Sequence, residues 1–126
     1  MRILIGIPMT RIYSPFIESF RSFLDSVKNH EICYMTTWNK FLPDAQNLMA
    51  NRMMDDGWDA LLFLDDDQWG FTSEMLDCLI NANALVATMK TYSRHYPYCC
   101  TLMAKLNDNG LYVGIENGWG YKEVDM

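Results

Sequence analysis

The chain has 126 residues, of which 50% are hydrophobic and 13% aromatic, and its formal net charge is -6 at pH 7. These values predict a single folded domain over residues 1–126 with a packed core, and they argue against a disordered chain. The negative charge argues against a general nucleic-acid binder, because the electrostatic footprint of such proteins is basic.

The first third of the chain predicts strand, helix and strand. "RILIGIP" at residues 2–8 is a short apolar run closed by Gly and Pro, which is typical of a buried strand. Ser14 and Pro15 predict a helix start, with Ser14 as the cap, and apolar residues follow at helical spacing as far as Val27. "EICYMTTW" at residues 31–38 predicts the second strand.

The same alternation continues further along the chain. The next predicted elements are a helix from Asp44 that ends at Gly57, a third strand at "DALLFL", a third helix over 73–81 and a fourth strand at "ALVATMK". "YCCTLMAKL" and "LYVGI" flank the turn residues "NDNG" and predict a terminal β-hairpin. The order predicts an α/β fold, with a mainly parallel, Rossmann-like sheet flanked by helices.

Three adjacent aspartates, Asp65, Asp66 and Asp67, directly follow the third predicted strand. Two such charges about 6 Å apart repel by roughly 3 kcal/mol at an effective dielectric of about 20, so a positive partner is expected. Side chains alternate along an extended segment, which places Asp65 and Asp67 on one side and Asp66 on the other. Ligands bind beyond the carboxyl ends of parallel strands. The pattern therefore predicts a divalent metal that carries a diphosphate.

Two carboxylates suit this chemistry, because Mg²⁺ and Mn²⁺ prefer hard oxygen ligands and Mg²⁺ keeps water and substrate phosphates in its shell. The alternative interpretation is a solvated acidic turn that caps the following helix, where negative charge near the N-terminus is favourable.

The block "DAQNLMANRMMDDGWDALLFLDDDQWGFTSEML", preceded by "ILIGIPMT", resembles the nucleotide-sugar glycosyltransferases of the GT-A fold. The closest group is the bacterial and phage enzymes similar to glycosyltransferase family 2, and the resemblance spans residues 3 to 98. It implies a metal-dependent, inverting glycosyltransferase with Mn²⁺ or Mg²⁺ at a D-x-D motif. The implied donor is a nucleotide-diphosphate sugar, with a UDP-sugar expected, and the acceptor is a hydroxyl group.

The resemblance also implies roles for individual residues. It assigns donor-nucleotide binding to Ile7, Pro8, Thr10, Gln46, Asn47, Asp65 and Asp66. It assigns metal binding to Asp65 and Asp67. Gln46 departs from the family, which commonly has Arg at this position, so a fixed positive group is missing there. Basic residues at 11, 90, 94 and 95 could approach the diphosphate or the sugar.

An inverting transferase needs a general base for the acceptor hydroxyl, and in the family this base lies beyond the matched region. The catalytic residue therefore stays unassigned, and we expect either the donor-binding half of a longer enzyme or a truncated or reduced relative. Two other classes stay open. One is a phosphohydrolase of the haloacid dehalogenase type, although its Asp-x-Asp follows the first strand. The other is a non-catalytic binding or assembly module with an unused nucleotide pocket.

The cysteines and the lengths of the apolar runs predict the cellular compartment of the protein. The four cysteines, at 33, 78, 99 and 100, have no metal-site spacing and are interpreted as buried free thiols in a reducing compartment. The apolar runs are far shorter than the roughly 18 residues that a membrane span requires. The N-terminal run lacks the layout of a signal peptide. We expect a cytoplasmic protein with no transmembrane segment.

Overall fold

The computed structural model describes residues 1–88 and the backbone of two further strands, Met103–Leu106 and Tyr112–Gly114. The chain divides into two compact units, Met1–Asn81 and Ala82–Met126. The single domain expected from the sequence stays a prediction.

The first unit is a parallel sheet with three helices. Its elements in chain order are β1 (Arg2–Met9), α1 (Ser14–Ser26), β2 (Glu31–Trp38), α2 (Leu42–Asp55), β3 (Ala60–Phe63) and α3 (Ser73–Asn81). The strand order is β2-β1-β3, and both pairings are parallel. Ile3 of β1 stands opposite Ile32 of β2 and Ala60 of β3. The predicted α/β class and parallel sheet are confirmed, and the arrangement is consistent with a Rossmann-like fragment.

Strand β1 is buried because it lies in the middle of the sheet with helices on both faces. Its odd-numbered side chains, such as Ile5, belong to a cluster with Phe16 and Phe23 of α1 and Leu76 of α3. On the opposite face, Gly6 lies against Met49 of α2. The apolar runs of the sequence thus become a central strand covered on two sides, as expected for parallel sheets.

The close approach of α2 to the sheet depends on Gly6. A Cβ atom at this position would lie 2.5 Å from Sδ of Met49 and 3.2 Å from its Cγ. Met49 and Ala45 are both fully buried on this face of α2. A glycine in β1 is therefore needed for the helix to pack as closely as it does.

Two helix starts differ slightly from the prediction. Helix α1 begins at Ser14 itself, with Tyr13 in the N-cap position and no side-chain capping hydrogen bond, so the predicted Ser14 cap is wrong by one residue. Helix α2 begins at Leu42 rather than at Asp44, because a proline in the first turn, here Pro43, has no intrahelical hydrogen bond to lose. Gly57, with φ of 67°, follows its end.

The fourth predicted strand is not found in the part of it that the structure describes. Residues 84–88 form no strand, and Leu85 and Val86 are exposed. An apolar run becomes a strand only when a neighbouring strand supplies hydrogen-bond partners, and hydrophobicity alone does not provide them. Residues 89 and 90 of this predicted strand, and the basic residues at 94 and 95, lie outside the described residues.

The second unit contains the predicted hairpin. Strand β4 (Met103–Leu106) pairs with β5 (Tyr112–Gly114) in an antiparallel ladder with an irregularity between Met103 and Lys105. The hairpin pairing is confirmed. Its predicted turn, "NDNG", lies outside the described residues.

Cys33 and Cys78 are free, as predicted, but both are exposed, so the prediction that they are buried is wrong. Cys33 lies on β2, which pairs with β1 alone in the described sheet. The cysteines at 99 and 100 lie outside the described residues. Within residues 1–88, no helix is both long and apolar enough to cross a membrane.

Candidate functional site at the carboxyl edge of the sheet

The ends of β1 and β3 lie side by side at one edge of the sheet. The chain passes from β1 to β2 on one side and then crosses from β2 to β3 on the other side of β1. This reversal makes the gap between β1 and β3 the point where α/β sheets bind ligands. Strand β3 ends at Phe63, opposite Gly6, while β1 continues to Met9. The amide of Leu64 still donates to the Gly6 carbonyl at 3.0 Å. The three aspartates therefore follow β3 alongside the last residues of β1.

Asp66 is buried and is bonded to the loop that follows β1. Its Oδ2 accepts hydrogen bonds from the backbone amide of Thr10 at 2.7 Å, the amide of Arg11 at 3.1 Å and the Thr10 hydroxyl at 3.2 Å. Only 8% of the residue is exposed. Burial alone would raise the pKa of Asp66, but these hydrogen bonds outweigh it and hold the pKa below its ordinary value. Asp66 is therefore an ionised, structurally bonded carboxylate.

The pKa of Asp65 is shifted in the opposite direction from that of Asp66. Partial burial of its carboxyl group raises the pKa of Asp65, and the negative charges of Asp67 and Asp66 raise it further. The turn is closed by the Gln68 amide, which donates to the Asp65 carbonyl at 3.1 Å. The Asp65 amide in turn donates to Oε1 of Gln68 at 3.3 Å. A carboxylate whose ionised form is disfavoured by its neighbours is a group that a cation would stabilise.

Asp65 and Asp67 form the donor set on which a metal site would depend. Asp67 is half-buried, and it is close enough to Asp65 to raise the pKa of that residue. No group of three or more His, Cys, Asp or Glu side chains is arranged around one point in the described part of the chain. Mg²⁺ is commonly held by one or two carboxylates with waters and phosphates, so the pair has suitable chemistry for this ion.

The alternative interpretation assigned the aspartates to capping the next helix. Oγ1 of Thr72 accepts a hydrogen bond from the Met75 amide at 3.3 Å, directly before α3. The Thr72 carbonyl also accepts the Leu76 amide at 3.1 Å. Thr72 therefore caps α3, and the solvated acidic turn of the alternative interpretation stays open for the aspartates.

Thr10 lies beside the run of three aspartates, to which it is bonded through Asp66. The other residues predicted to contact the nucleotide differ in their exposure. Ile7 is 1% exposed and belongs to the core cluster, and Pro8 is half-buried near the end of β1. On α2, Gln46 is half-buried and Asn47 is exposed. The nucleotide-binding roles of these residues stay predictions.

A second contact between the same two segments was not foreseen from the sequence. The rings of Tyr13 and Trp69 are 6.2 Å apart, and the guanidinium of Arg11 stands 5.2 Å from the centroid of the Tyr13 ring. The Gly70 amide donates to Oγ of Ser19 at 2.7 Å. The only signal in the sequence was an aromatic residue after each of the two strands, which does not reveal that they meet.

Comparisons of the chain with known proteins found no match to a protein-family model, to a curated protein or to a solved structure. The assignment of a function therefore depends on the residues and on the geometry of this edge.

Proposed function

We propose that this chain is a GT-A-like donor-binding domain of a glycosyltransferase, which binds a nucleotide-diphosphate sugar through Mn²⁺ or Mg²⁺ at Asp65 and Asp67. The observation that carries the proposal is the position of this carboxylate pair at the carboxyl ends of β1 and β3, with the pKa of Asp65 raised. The complete enzyme would transfer the sugar to a hydroxyl group with inversion, as the family resemblance implies.

The loop after β1 explains why a metal would be needed. In many α/β nucleotide sites, backbone amides of this loop bind the phosphates directly. Here the amides of Thr10 and Arg11 already donate to Asp66. The loop "TRIY" also contains no glycine that would let its backbone approach a phosphate closely. A diphosphate at this edge would therefore meet carboxylates, and a cation between them would remove the repulsion.

The chemistry of the site follows from these charges. A bound divalent ion would neutralise the diphosphate and stabilise it as a leaving group. Asp65 and Asp67 would hold that ion through their carboxylate oxygens. Arg11, whose backbone is fixed by Asp66 and whose side chain is exposed, is a nearby cation in the described part of the chain.

A nucleotide titration tests the proposal. The purified chain would be titrated with UDP, GDP, CDP and dTDP, with and without Mn²⁺, by thermal shift and calorimetry. We expect one nucleotide to bind only with the metal, and a ligand at 100 times its Kd stabilises the fold by about 2.7 kcal/mol. Asp67→Ala should lose this response. Asp55→Ala, in an exposed acidic pair beyond the site, should keep it.

One observation favours a second candidate, a non-catalytic module with an unused pocket. Gln46 stands where the family commonly has Arg, so a planar, permanently charged partner for a nucleotide is missing from α2. A folded chain that shows no metal-dependent response to any of the four nucleotides would overturn the transferase proposal in favour of this candidate.

A further inference from the structure

The three consecutive aspartates are not equivalent in the structure. Asp66 is buried and its Oδ2 accepts three hydrogen bonds from the loop after β1. Asp65 is exposed and Asp67 is half-buried. Identical side chains thus occupy one buried position bonded to the protein backbone and two positions that are more accessible.

We infer that Asp66 is a positioning residue, which fixes the Thr10–Arg11 loop beside the metal-binding turn and contacts neither the ion nor the nucleotide. This inference rests on the proposed function. It replaces the direct nucleotide contact that the family resemblance implies for Asp66 with an indirect role through the loop.

The hydrogen-bond capacity of the carboxylate supports this role. Two carboxylate oxygens offer about four lone-pair sites in total, so an oxygen that accepts three hydrogen bonds has no lone pair left for a metal. The donors to Oδ2 are two backbone amides and one hydroxyl, all from Thr10 and Arg11. Hydrogen bonds to an ionised acceptor are stronger than those between neutral groups. Oδ2 of Asp66 therefore holds the loop and is unavailable to an ion, and the burial of the residue limits the access of an ion to Oδ1.

The contact between Tyr13 and Trp69 bears on the position of Arg11. Beyond Asp66, the same two segments meet where Tyr13 packs at 6.2 Å from Trp69. The guanidinium of Arg11 lies 5.2 Å from the centroid of the Tyr13 ring. The face of an aromatic ring attracts a cation at this distance. The loop is thus attached to the turn on both sides of Arg11. We expect this attachment to hold Arg11 at the edge where the diphosphate would bind.

The test separates ion binding from nucleotide binding in Asp66→Asn. Mn²⁺ alone should bind this variant as it binds the wild-type chain, because both proposed ligands are intact. If the loop occupies its binding position in only about a tenth of the molecules, the apparent nucleotide affinity falls about tenfold. The nucleotide would be the one identified in the titration above. Asp67→Ala should instead lose both the ion and the nucleotide.

The chain offers a matched control in Asp59→Asn. Oδ2 of Asp59 accepts the backbone amide of Arg2 at 2.7 Å, which is the same kind of bond at the opposite end of β1 and β3. This variant weakens an aspartate-to-amide bond at the opposite end of the strand pair, so its nucleotide affinity should equal that of the wild-type chain. A general effect of weakening the strand pair would reduce nucleotide binding in both variants.

A spectroscopic readout reports on the loop itself. The Thr10 and Arg11 amide proton resonances should shift upfield in Asp66→Asn, because a neutral acceptor withdraws less density from the N–H bond than a carboxylate does. If this variant does not fold, hydrogen exchange in the wild-type chain tests whether Asp66 stays bonded to the loop when the ligands bind. The two amides should stay protected when Mn²⁺ and nucleotide bind. Loss of their protection would show that Asp66 leaves the loop for the ligand, which would overturn the inference.

The outcomes distinguish the two claims. Wild-type affinity for nucleotide in Asp66→Asn, or loss of Mn²⁺ binding as in Asp67→Ala, would overturn the positioning role alone. A wild-type chain that binds neither ion nor nucleotide would overturn the proposed function and the positioning of a ligand with it. In that case the upfield shifts in Asp66→Asn would still show that Asp66 holds the loop.

Discussion

Oδ2 of Asp66 accepts the backbone amide of Thr10 at 2.7 Å and so joins the segment after β3 to the segment after β1. At the other end of the same strand pair, Oδ2 of Asp59 accepts the amide of Arg2 at the same distance. Strands β1 and β3 are therefore connected by an aspartate at each end. Only the connection through Asp66 lies at the edge where α/β sheets bind ligands.

Asp66→Asn should lower the free energy of unfolding at pH 7 by about 1–2 kcal/mol, because hydrogen bonds to a charged acceptor contribute more than those to a neutral one. Urea denaturation of the two chains measures this difference. The nearly isosteric side chain keeps the packing, so the loss would report on the charge. An unchanged unfolding free energy would contradict the account of the loop.

The pH dependence of stability should differ between the same two chains. The folded-state pKa of Asp66 is below its ordinary value, so its contribution is present above the unfolded-state pKa, about 3.9 for Asp. That contribution is lost as the pH falls through the folded-state pKa. The stability advantage of the wild type over Asp66→Asn should therefore shrink on acidification below about pH 5. Urea denaturation at a series of pH values tests this, and a constant difference would contradict it.

Asp65→Asn should leave the fold as stable as the wild type, or more stable, at pH 7 without metal. The pKa of Asp65 is raised by burial and by its acidic neighbours, so its ionised form costs stability at neutral pH. This cost shrinks as the pH falls through the folded-state pKa and is gone below the unfolded-state pKa. The same variant should lose metal-dependent nucleotide binding.

Thermal unfolding without metal and calorimetry with Mn²⁺ check the two effects of Asp65→Asn separately. Asp55→Asn, in the exposed pair at the end of α2, is the control and should leave nucleotide binding unchanged. A clear loss of stability in Asp65→Asn would show that this carboxylate has a structural role that the account does not give it.

Gly6→Ala should destabilise the protein by about 1–3 kcal/mol, the usual cost of overfilling a packed core. The new methyl group would lie 2.5 Å from Sδ of Met49, so α2 or the methionine must move. A double-mutant cycle with Met49→Ala provides the control, because truncating the methionine removes the clash. An additive cycle would contradict the direct contact between β1 and α2.

The elements of the first unit were largely predictable because their apolar patterns are strong and their ends are marked. The bounds of β2 and α3 agree with the predicted segments 31–38 and 73–81. The fourth strand was not predictable in this way, since residues 84–88 have the composition of a strand but no ladder in the described structure. Strand formation depends on a neighbouring strand, which cannot be inferred from the local sequence.

The candidate site was predictable in position but not in detail. A run of acids after an apolar strand indicated the edge of the sheet, and the structure places it there. Three consecutive aspartates in the sequence could not reveal that Asp66 is bonded to Thr10 and Arg11. That role depends on which backbone amides lie beside each carboxylate in the fold.

The most direct test of the central claim is to locate the ion by the paramagnetic broadening that Mn²⁺ causes in the amide spectrum of the chain. With nucleoside diphosphate present, the account predicts that the amides of Asp65, Asp66 and Asp67 broaden first, together with those of Thr10 and Arg11. Asp67→Ala should abolish this pattern. Broadening centred instead on the exposed acidic pair at 55 and 56, or no selective broadening, would contradict a metal site at the end of β3.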